Sequence, residues 1–205
     1  MHITMYAKFI KRTVDVIFSL LLLPIVLFVV LIFGVFIKIE DKGPIFYLGK
    51  RLGKNQKIFK MYKLRSMKMD APDIRNVDGS TFNSDSDPRL TSVGKFLRKT
   101  SLDEIPQIIN VFKGDMSFIG PRPDLPEAVE FYSETDIHKL DVSPGITGYN
   151  QAYYRNSNTQ KEKFENDVFY VKNLSWKLDL KIFFKTVMSV ALRKNINLTD
   201  KDVQS

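Results

Sequence analysis

Two adjacent carboxylates and two arginines are the side chains in this chain best suited to chemistry. Asp103 and Glu104 stand side by side, Arg98 precedes them closely, and Arg122 follows in a stiff Pro-Arg-Pro element. Carboxylates can hold Mg²⁺, and a guanidinium can bind two phosphate oxygens at once. An aspartate can also attack phosphorus and become an aspartyl phosphate. The set therefore indicates metal-assisted phosphoryl chemistry.

The same acidic residues also have a purely structural interpretation. Ser101 and Glu104 have the spacing of a capping box, and acidic residues suit the first turn of a helix. Pro106 is tolerated in that turn, so a helix is expected to begin near Asp103. Helix amides and the charge of Arg98 are expected to keep Asp103 ionised at neutral pH. The residue types alone leave the structural and the catalytic interpretation open.

Composition narrows the kinds of site that this chain can build. Its 205 residues include no cysteine and two histidines, His2 and His138. The chain therefore lacks the cysteines for disulfides, thiolate catalysis and cysteine-built zinc sites, and with two histidines Ser-His-Asp chemistry is not expected to be its mechanism. Any metal is expected to be a hard cation bound by carboxylates. The formal net charge is +8. Because no nucleic-acid-binding pattern is present, no nucleic acid partner is expected, and the basic excess is assigned to anionic membrane lipid.

An apolar segment near the N-terminus must hold this site against a membrane. Val16–Ile37 contains no charged residue, and as a straight helix it would be roughly 33 Å long, against about 30 Å for a bilayer core. Basic residues flank it on both sides, with Lys11 and Arg12 before it and an excess of lysine after it. Both flanks therefore favour the cytoplasm, and Pro24 predicts a bend that would return the chain to the same side. A single span with a translocated N-terminus is the alternative.

The rest of the chain indicates short strands and several helices. Strands are expected at 45–47 and 57–64 around a basic glycine turn, and a polar loop over 73–92 is either a lid or an exposed connector. Helices are expected over 93–111, 127–140, 161–173 and 174–194, with a strand at 151–154.

The last of these helices is amphipathic. Lysines at 177, 181 and 185 share one face, and an apolar face carries Trp176, Leu180, Phe183, Phe184 and Val187. Such a helix either lies in a membrane interface or packs its apolar face on the core of the domain.

The order of the motifs resembles one protein family over almost the whole chain. From about Lys11 to Lys194, the chain is similar to the bacterial sugar transferases, in particular the small monotopic phosphoglycosyl transferases. Besides the proline-broken apolar helix, the motifs that carry the resemblance lie at 11–15, 43–46, 59–67, 87–91, 97–107, 113–123 and 144–148. One such motif would be weak evidence, but this many in order is specific.

The resemblance implies a reaction and a role for each site residue. The reaction moves a phosphosugar from a UDP-sugar to polyprenol (undecaprenyl) phosphate and gives polyprenol diphosphate sugar and UMP. Asp103 would attack the β-phosphate and carry the phosphosugar covalently, while Glu104, with Asp103, would ligate Mg²⁺. Phosphate and substrate binding would fall to Arg98, Arg122, Pro121, Pro123, Lys63, Arg65 and Asp179. Two alternatives stay open: a membrane-bound glycosyltransferase that releases UDP, and a non-catalytic membrane-anchored adaptor.

The expected architecture is α+β. A re-entrant membrane helix hairpin at 1–40, bent at Pro24, would precede a cytoplasmic membrane-associated catalytic domain at 41–205, which combines interfacial amphipathic helices with a short antiparallel sheet. The protein would lie on the cytoplasmic face of the bacterial inner membrane. Leu23 departs from the family pattern, which often has serine directly before this proline. The oligomeric state stays open, with a homodimer among the alternatives.

Overall fold

The computed structural model describes residues 5–74, 84, 87–154 and 158–191. After a π-helical turn at Tyr6–Ile10, the six α-helices of this described part are α1 (Lys11–Asp41), α2 (Ser92–Thr100), α3 (Gln107–Lys113), α4 (Tyr149–Tyr153), α5 (Gln160–Lys172) and α6 (Trp176–Ala191). Its strands are β1 (Phe46–Leu52), β2 (Ile58–Leu64), β3 (Ser117–Ile119) and β4 (Gly145–Thr147). Short 3₁₀ turns lie at Lys54–Gln56, Leu102–Glu104, Pro126–Phe131 and Asp136–Asp141. The fold is therefore mixed, mostly helical with small sheets, as expected.

Helix α1 is long and apolar enough to cross a membrane. Pro24 lies inside it, where its ring nitrogen cannot donate to the carbonyl one turn earlier. Its buried positions recur at helical spacing on one face: Asp15, Ser19, Val26, Val29, Gly34 and Ile37. The opposite face is apolar and exposed, and Phe28 for example is 64% exposed. A helix with a buried inner face and an apolar outer face is suited to lipid rather than water.

Both ends of α1 bind the same globular part of the chain. Near its start, Arg12 donates to the carbonyls of Val111 and Phe112 at 2.6 and 2.8 Å. Near its end, Glu40 accepts the first backbone N–H groups of α2 at 2.6 and 3.0 Å. The start of α1, through Arg12, and its end, through Glu40, are thus both bound to one domain. The apolar middle of the helix carries the exposed side chains.

The predicted antiparallel hairpin is present. β1 pairs with β2 in a register that runs from Phe46↔Leu64 to Leu52↔Ile58. On one face of the hairpin, Leu64 packs in a buried cluster with Leu97 of α2. On the other face, Phe59 and Met61 pack in a second cluster with residues of α3 and β3. The hairpin therefore connects α1, α2 and α3, the three helices that surround the acidic pair.

A second sheet was not expected from the sequence. β3 and β4 pair in parallel through Ser117↔Gly145 and Ile119↔Thr147. A Cβ at Gly145 would lie 2.1 Å from the backbone nitrogen of Gly120, so any larger residue would separate the two segments. The glycines that read as turn signals therefore serve a close backbone approach.

Three secondary-structure predictions need correction or fall outside the described residues. The strand predicted at 151–154 is part of α4, because Tyr149 and Tyr153 stack at 4.7 Å one helical turn apart. The helix predicted at 127–140 is two 3₁₀ turns, since Ser133 and Asp136 form a reciprocal side-chain turn between them. Most of the predicted loop at 73–92 (75–83, 85 and 86) lies outside the described residues.

Helix α6 contacts the core with one edge only. Ile182 is fully buried in a cluster with Tyr170 and Val171. Most of its apolar residues point outward, and Phe184 is 62% exposed. The alternative in which the whole apolar face packs on the core is therefore wrong for this helix.

Candidate functional site

The acidic pair lies on a short 3₁₀ turn, Leu102–Glu104, between α2 and α3. The predicted capping box is wrong: Ser101 has φ 57°, caps the C-terminus of α2, and makes no side-chain cap. A left-handed residue that ends one helix cannot also present its hydroxyl to the next one. The following helix accordingly begins at Gln107 rather than near Asp103. A capping box therefore does not explain these two carboxylates.

Glu104 is held by a lysine from the hairpin. Lys63 Nζ lies 2.5 Å from Glu104 Oε1. Burial raises the pKa of Glu104, but the charges of Lys63 and Arg122 outweigh burial, and hydrogen bonds from Lys63 and Gln107 add to them. The net result is a pKa of about 2 for Glu104. This carboxylate is fully ionised at neutral pH.

Asp103 is the more buried partner, with 7% of its surface exposed. Burial and the neighbouring charge of Glu104 raise its pKa to about 6, while Lys63 and Arg98 act in the opposite direction. At pH 7 most molecules therefore carry an ionised Asp103, as expected from the sequence. A buried carboxylate with little hydration is a better nucleophile than one in bulk water.

Arg98 is positioned by close packing of α2 on the chain that follows β2. Its Nε donates to Ser66 Oγ at 3.1 Å. The backbone N–H of Thr91 donates to the Ser66 carbonyl at 3.1 Å, and Thr91 caps α2 through Gly94 N–H at 2.9 Å. The last turn of α2 thus presents Arg98 beside the acidic pair.

Arg122 approaches from the second sheet. The carbonyl of Pro121 accepts from Gly145 N–H at 2.8 Å, and that of Asp124 accepts from Leu52 N–H at 2.9 Å. The Arg122 side chain is exposed, and its charge acts on Glu104. Pro121 and Pro123 stiffen the segment without touching the acidic pair in the described contacts.

Arg65 is a buried cation at the C-terminal end of α1. It directly follows β2, and its guanidinium lies beside Gly43. Its side chain is 8% exposed, and Nη1 lies 3.2 Å from Asp41 Oδ2. Within the described part of the chain, its nitrogens have no hydrogen-bond acceptor. A buried guanidinium with unmade hydrogen bonds is costly, so it is suited to an incoming anion.

Asp179 lies in a different network. Its carboxylate accepts from Tyr6 Oη and Lys11 Nζ, each at 2.7 Å, and contacts Tyr170 Oη at 2.8 Å. None of its described contacts includes the acidic pair. Asp179 therefore ties α6 to the start of α1, and the described geometry gives it no direct place beside Asp103.

Sequence reasoning gave no role to Gln107, which is buried and hydrogen-bonds Glu104. Its position three residues after Glu104 was the available signal, because side chains at that spacing meet across a helical turn. Asp115 contacts Asn110 and Lys113.

The donor set is compatible with Mg²⁺ held together with a phosphate. In the described residues, no three His, Cys, Asp or Glu side chains converge as a cage. Mg²⁺ commonly uses one or two protein carboxylates and completes its shell with substrate phosphate and water. Asp103 and Glu104, both ionised, satisfy that smaller requirement.

The chain is similar to several known sugar transferases. The chain is 38% identical over 188 residues to UDP-N-acetylgalactosamine-undecaprenyl-phosphate N-acetylgalactosaminephosphotransferase of Aeromonas hydrophila. The aligned region is 89% of this chain and 44% of that protein. The chain is also 38% identical over 200 residues to undecaprenyl-phosphate galactose phosphotransferase of Salmonella typhimurium, covering 92% and 42%. An uncharacterized sugar transferase of Bacillus subtilis, EpsL, is 37% identical over 190 residues, covering 93% and 91%.

These matches differ in how much of each relative they include. The chain spans about two fifths of the Aeromonas and Salmonella proteins but nine tenths of EpsL. The sequence profile described as "Bacterial sugar transferase" matches residues 6–193, which include every element described above. By that match, with the acidic pair and its cations in place, the chain belongs to the bacterial sugar transferase family.

Proposed function

We propose that this chain transfers a phosphosugar from a UDP-sugar to polyprenol phosphate, of which undecaprenyl phosphate is the named example among its relatives. The products are polyprenol diphosphate sugar and UMP. The observation that carries the proposal is a buried Asp103 beside an ionised Glu104, within reach of the charges of Lys63, Arg98 and Arg122. Anionic phosphates and a carboxylate nucleophile need this combination.

The reaction would proceed in two displacements. A carboxylate oxygen of Asp103 attacks the β-phosphorus of the donor and forms an acyl phosphate. The bond from that phosphorus to the bridging oxygen breaks, and UMP leaves with the electron pair. An oxygen of the polyprenol phosphate then attacks the same phosphorus, and Asp103 is released as a carboxylate. Each step exchanges one phosphorus–oxygen bond for another, so no other reactant is required.

The surrounding side chains neutralise charge and orient the phosphates. Arg98 and Arg122 approach the acidic pair from α2 and from the second sheet, so they would bind phosphate oxygens from two sides. Lys63 holds Glu104. Glu104 and Asp103 would hold Mg²⁺, which would supply positive charge that offsets the charge of the phosphates. The adaptor alternative relied on helix capping by Ser101 and Glu104, which is not formed.

Arg65 would bind the phosphate of one of the two substrates. We expect Arg65→Met to lower kcat/KM by about tenfold or more, since an Arg–phosphate contact is charge-assisted. Asp41→Asn is the matched control, because it removes the 3.2 Å ion pair but leaves the guanidinium in place. Steady-state kinetics with a thermal melt for each variant distinguishes the roles. Equal losses in both variants would make Arg65 a structural partner of Asp41 only.

We also propose that α1 is a re-entrant helix. Arg12 and Glu40, near opposite ends of α1, both bind the globular domain, which favours one side of the membrane for both. The exposed apolar faces of α1 and α6 would then enter the cytoplasmic leaflet of the inner membrane, with Lys177, Lys181 and Lys185 near anionic headgroups. Residues 1–40 would form the membrane segment and 41–205 the catalytic domain.

Labelling of single cysteines tests this topology. In the cysteine-free chain, Ile3→Cys and Asp200→Cys are both expected to resist a membrane-impermeant maleimide in intact cells and to react after permeabilisation. Reaction of the cysteine at position 3 with external reagent would instead establish a single span.

The activity itself is tested by transfer to lipid. Purified protein in a bilayer, given Mg²⁺, undecaprenyl phosphate and a panel of UDP-sugars, is expected to form a lipid that carries the sugar and two phosphates. A product that carries the sugar on a single phosphate would favour the glycosyltransferase alternative. Failure with every donor, together with failure to bind any of them, would reject the proposal.

A further inference from the structure

A buried lysine lies behind the Pro-Arg-Pro segment. Lys139 is 2% exposed, and its Nζ lies 2.5 Å from Asp124 Oδ2 and 2.7 Å from Asp167 Oδ2. The lysine belongs to the 3₁₀ turn Asp136–Asp141, whereas Asp167 belongs to α5. Three separate segments of the chain therefore meet at a single ammonium group.

Aromatic rings enclose the same ammonium group. Its Nζ lies 4.9 Å from the ring centre of Phe164 and 5.7 Å from that of Tyr132. Tyr132 Oη donates to Asp124 Oδ2 at 2.7 Å. Cation–π contacts and hydrogen bonds restrict the group from several directions. The lysine therefore has little freedom to leave its two carboxylates.

Such a cluster is a costly way to stabilise a fold. Taking an amine and two carboxylates out of water carries a desolvation penalty that apolar side chains of similar volume would avoid. Burial also raises the pKa of Asp167 to about 6, even though Lys139 opposes that shift. The main effect of a buried ionic cluster is to hold the segments that carry its members in one arrangement.

The geometry concerned is the backbone on either side of Arg122. Asp124 lies two residues after Arg122, and its side chain is bound by Lys139. Asp167, the other carboxylate bound by Lys139, lies near the Arg122 backbone, which lowers the pKa of that carboxylate against the effect of burial. Both carboxylates held by Lys139 therefore lie beside the Arg122 segment, while the Arg122 side chain is exposed and its charge acts on Glu104.

We propose that Lys139 is a positioning residue for Arg122: by holding Asp124 and Asp167 together, it fixes the backbone that aims the Arg122 guanidinium at the phosphate bound beside Glu104. The inference rests on the proposed function for its catalytic consequence. The backbone part can be measured without turnover.

A double-mutant cycle tests the catalytic consequence. Lys139→Met is expected to lower kcat/KM about tenfold in the otherwise unchanged protein and by less than about twofold in an Arg122→Ala background. Asp167→Asn, which keeps the Lys139–Asp124 pair, provides the same comparison if Lys139→Met folds poorly. Glu162→Gln is the control: it alters the capping box at the exposed start of α5, so any loss should be equal in both backgrounds. Equal losses from Lys139→Met in both backgrounds would overturn the proposal.

Hydrogen–deuterium exchange tests the backbone part independently of activity. In Lys139→Met or Asp167→Asn, the exchangeable amides of residues 120–125, which exclude the two prolines, are expected to exchange about tenfold faster, with the β1–β2 hairpin unchanged. Unchanged exchange at 120–125 would overturn the inference whether or not the protein turns over a UDP-sugar. Faster exchange in a protein with no transferase activity would instead count against the proposed function alone.

Discussion

Replacement of Asp103 by asparagine is expected to abolish transfer, with a loss of at least about 10³-fold in kcat, because the amide cannot form the acyl phosphate. The side chain keeps its shape and its buried position, so the loss should come from chemistry rather than from folding. The protein should also stop acquiring the mass of a sugar phosphate when it is incubated with donor alone. Intact-protein mass spectrometry and turnover rates measure both effects.

Asp141→Asn is a matched control for the Asp103 variant. It makes the same chemical change at a partly exposed acidic residue that pairs with His138. Its turnover and its labelling by donor should be unchanged. Full activity of Asp103→Asn would contradict the assignment of the nucleophile, and labelling that persists in that variant would place the covalent bond on another side chain.

Glu104→Gln is expected to lower kcat by about 10²-fold or more while the melting temperature changes little. The carboxylate is ionised, with a pKa of about 2, so the substitution removes a full negative charge from the site. That charge would be needed to hold Mg²⁺ against the diphosphate. Activity measured over a range of Mg²⁺ concentrations should show a higher requirement in the variant. Circular dichroism and melting curves report whether the fold is retained.

Glu162 offers a control for which the opposite result is expected, with at most a small effect on stability and none on kcat. Thr159 and Glu162 form the capping box that the acidic pair lacks, with Glu162 Oε2 accepting from Thr159 N–H at 2.7 Å. Glu162→Gln should therefore lower the melting temperature at most slightly and leave kcat unchanged. If Glu104→Gln behaved in the same way, with lower stability and full turnover, Glu104 would be a structural residue and the adaptor alternative would regain support.

Local signals predicted much of the fold. Two short strands around a basic glycine turn were predicted from the sequence, and the β1–β2 hairpin confirms them. The acidic pair and its cations were candidates from their residue types, and the resemblance to the bacterial sugar transferases assigned them to phosphate chemistry. Lys63 and Glu104 are 41 residues apart, yet both were candidates before their 2.5 Å contact was known.

What failed depended on long-range packing. Nothing local distinguishes a Ser101 that starts a helix from one that ends a helix, and its left-handed backbone decided against the capping box. The parallel β3–β4 pair joins segments whose pairing no local pattern specifies. Asp179 matched a family position, but its partners Tyr6 and Lys11 come from the opposite end of the chain. The Lys139 cluster was equally invisible, since a lysine in a polar stretch normally lies in solvent.

The identity of the released nucleotide tests the central claim most directly. Purified protein would receive Mg²⁺, undecaprenyl phosphate and each UDP-sugar of a panel, and the nucleotide would be resolved by ion-exchange chromatography. The account predicts UMP, formed by the unchanged protein and absent with Asp103→Asn. Release of UDP would place the broken bond between sugar and phosphate and would contradict the covalent phosphosugar mechanism.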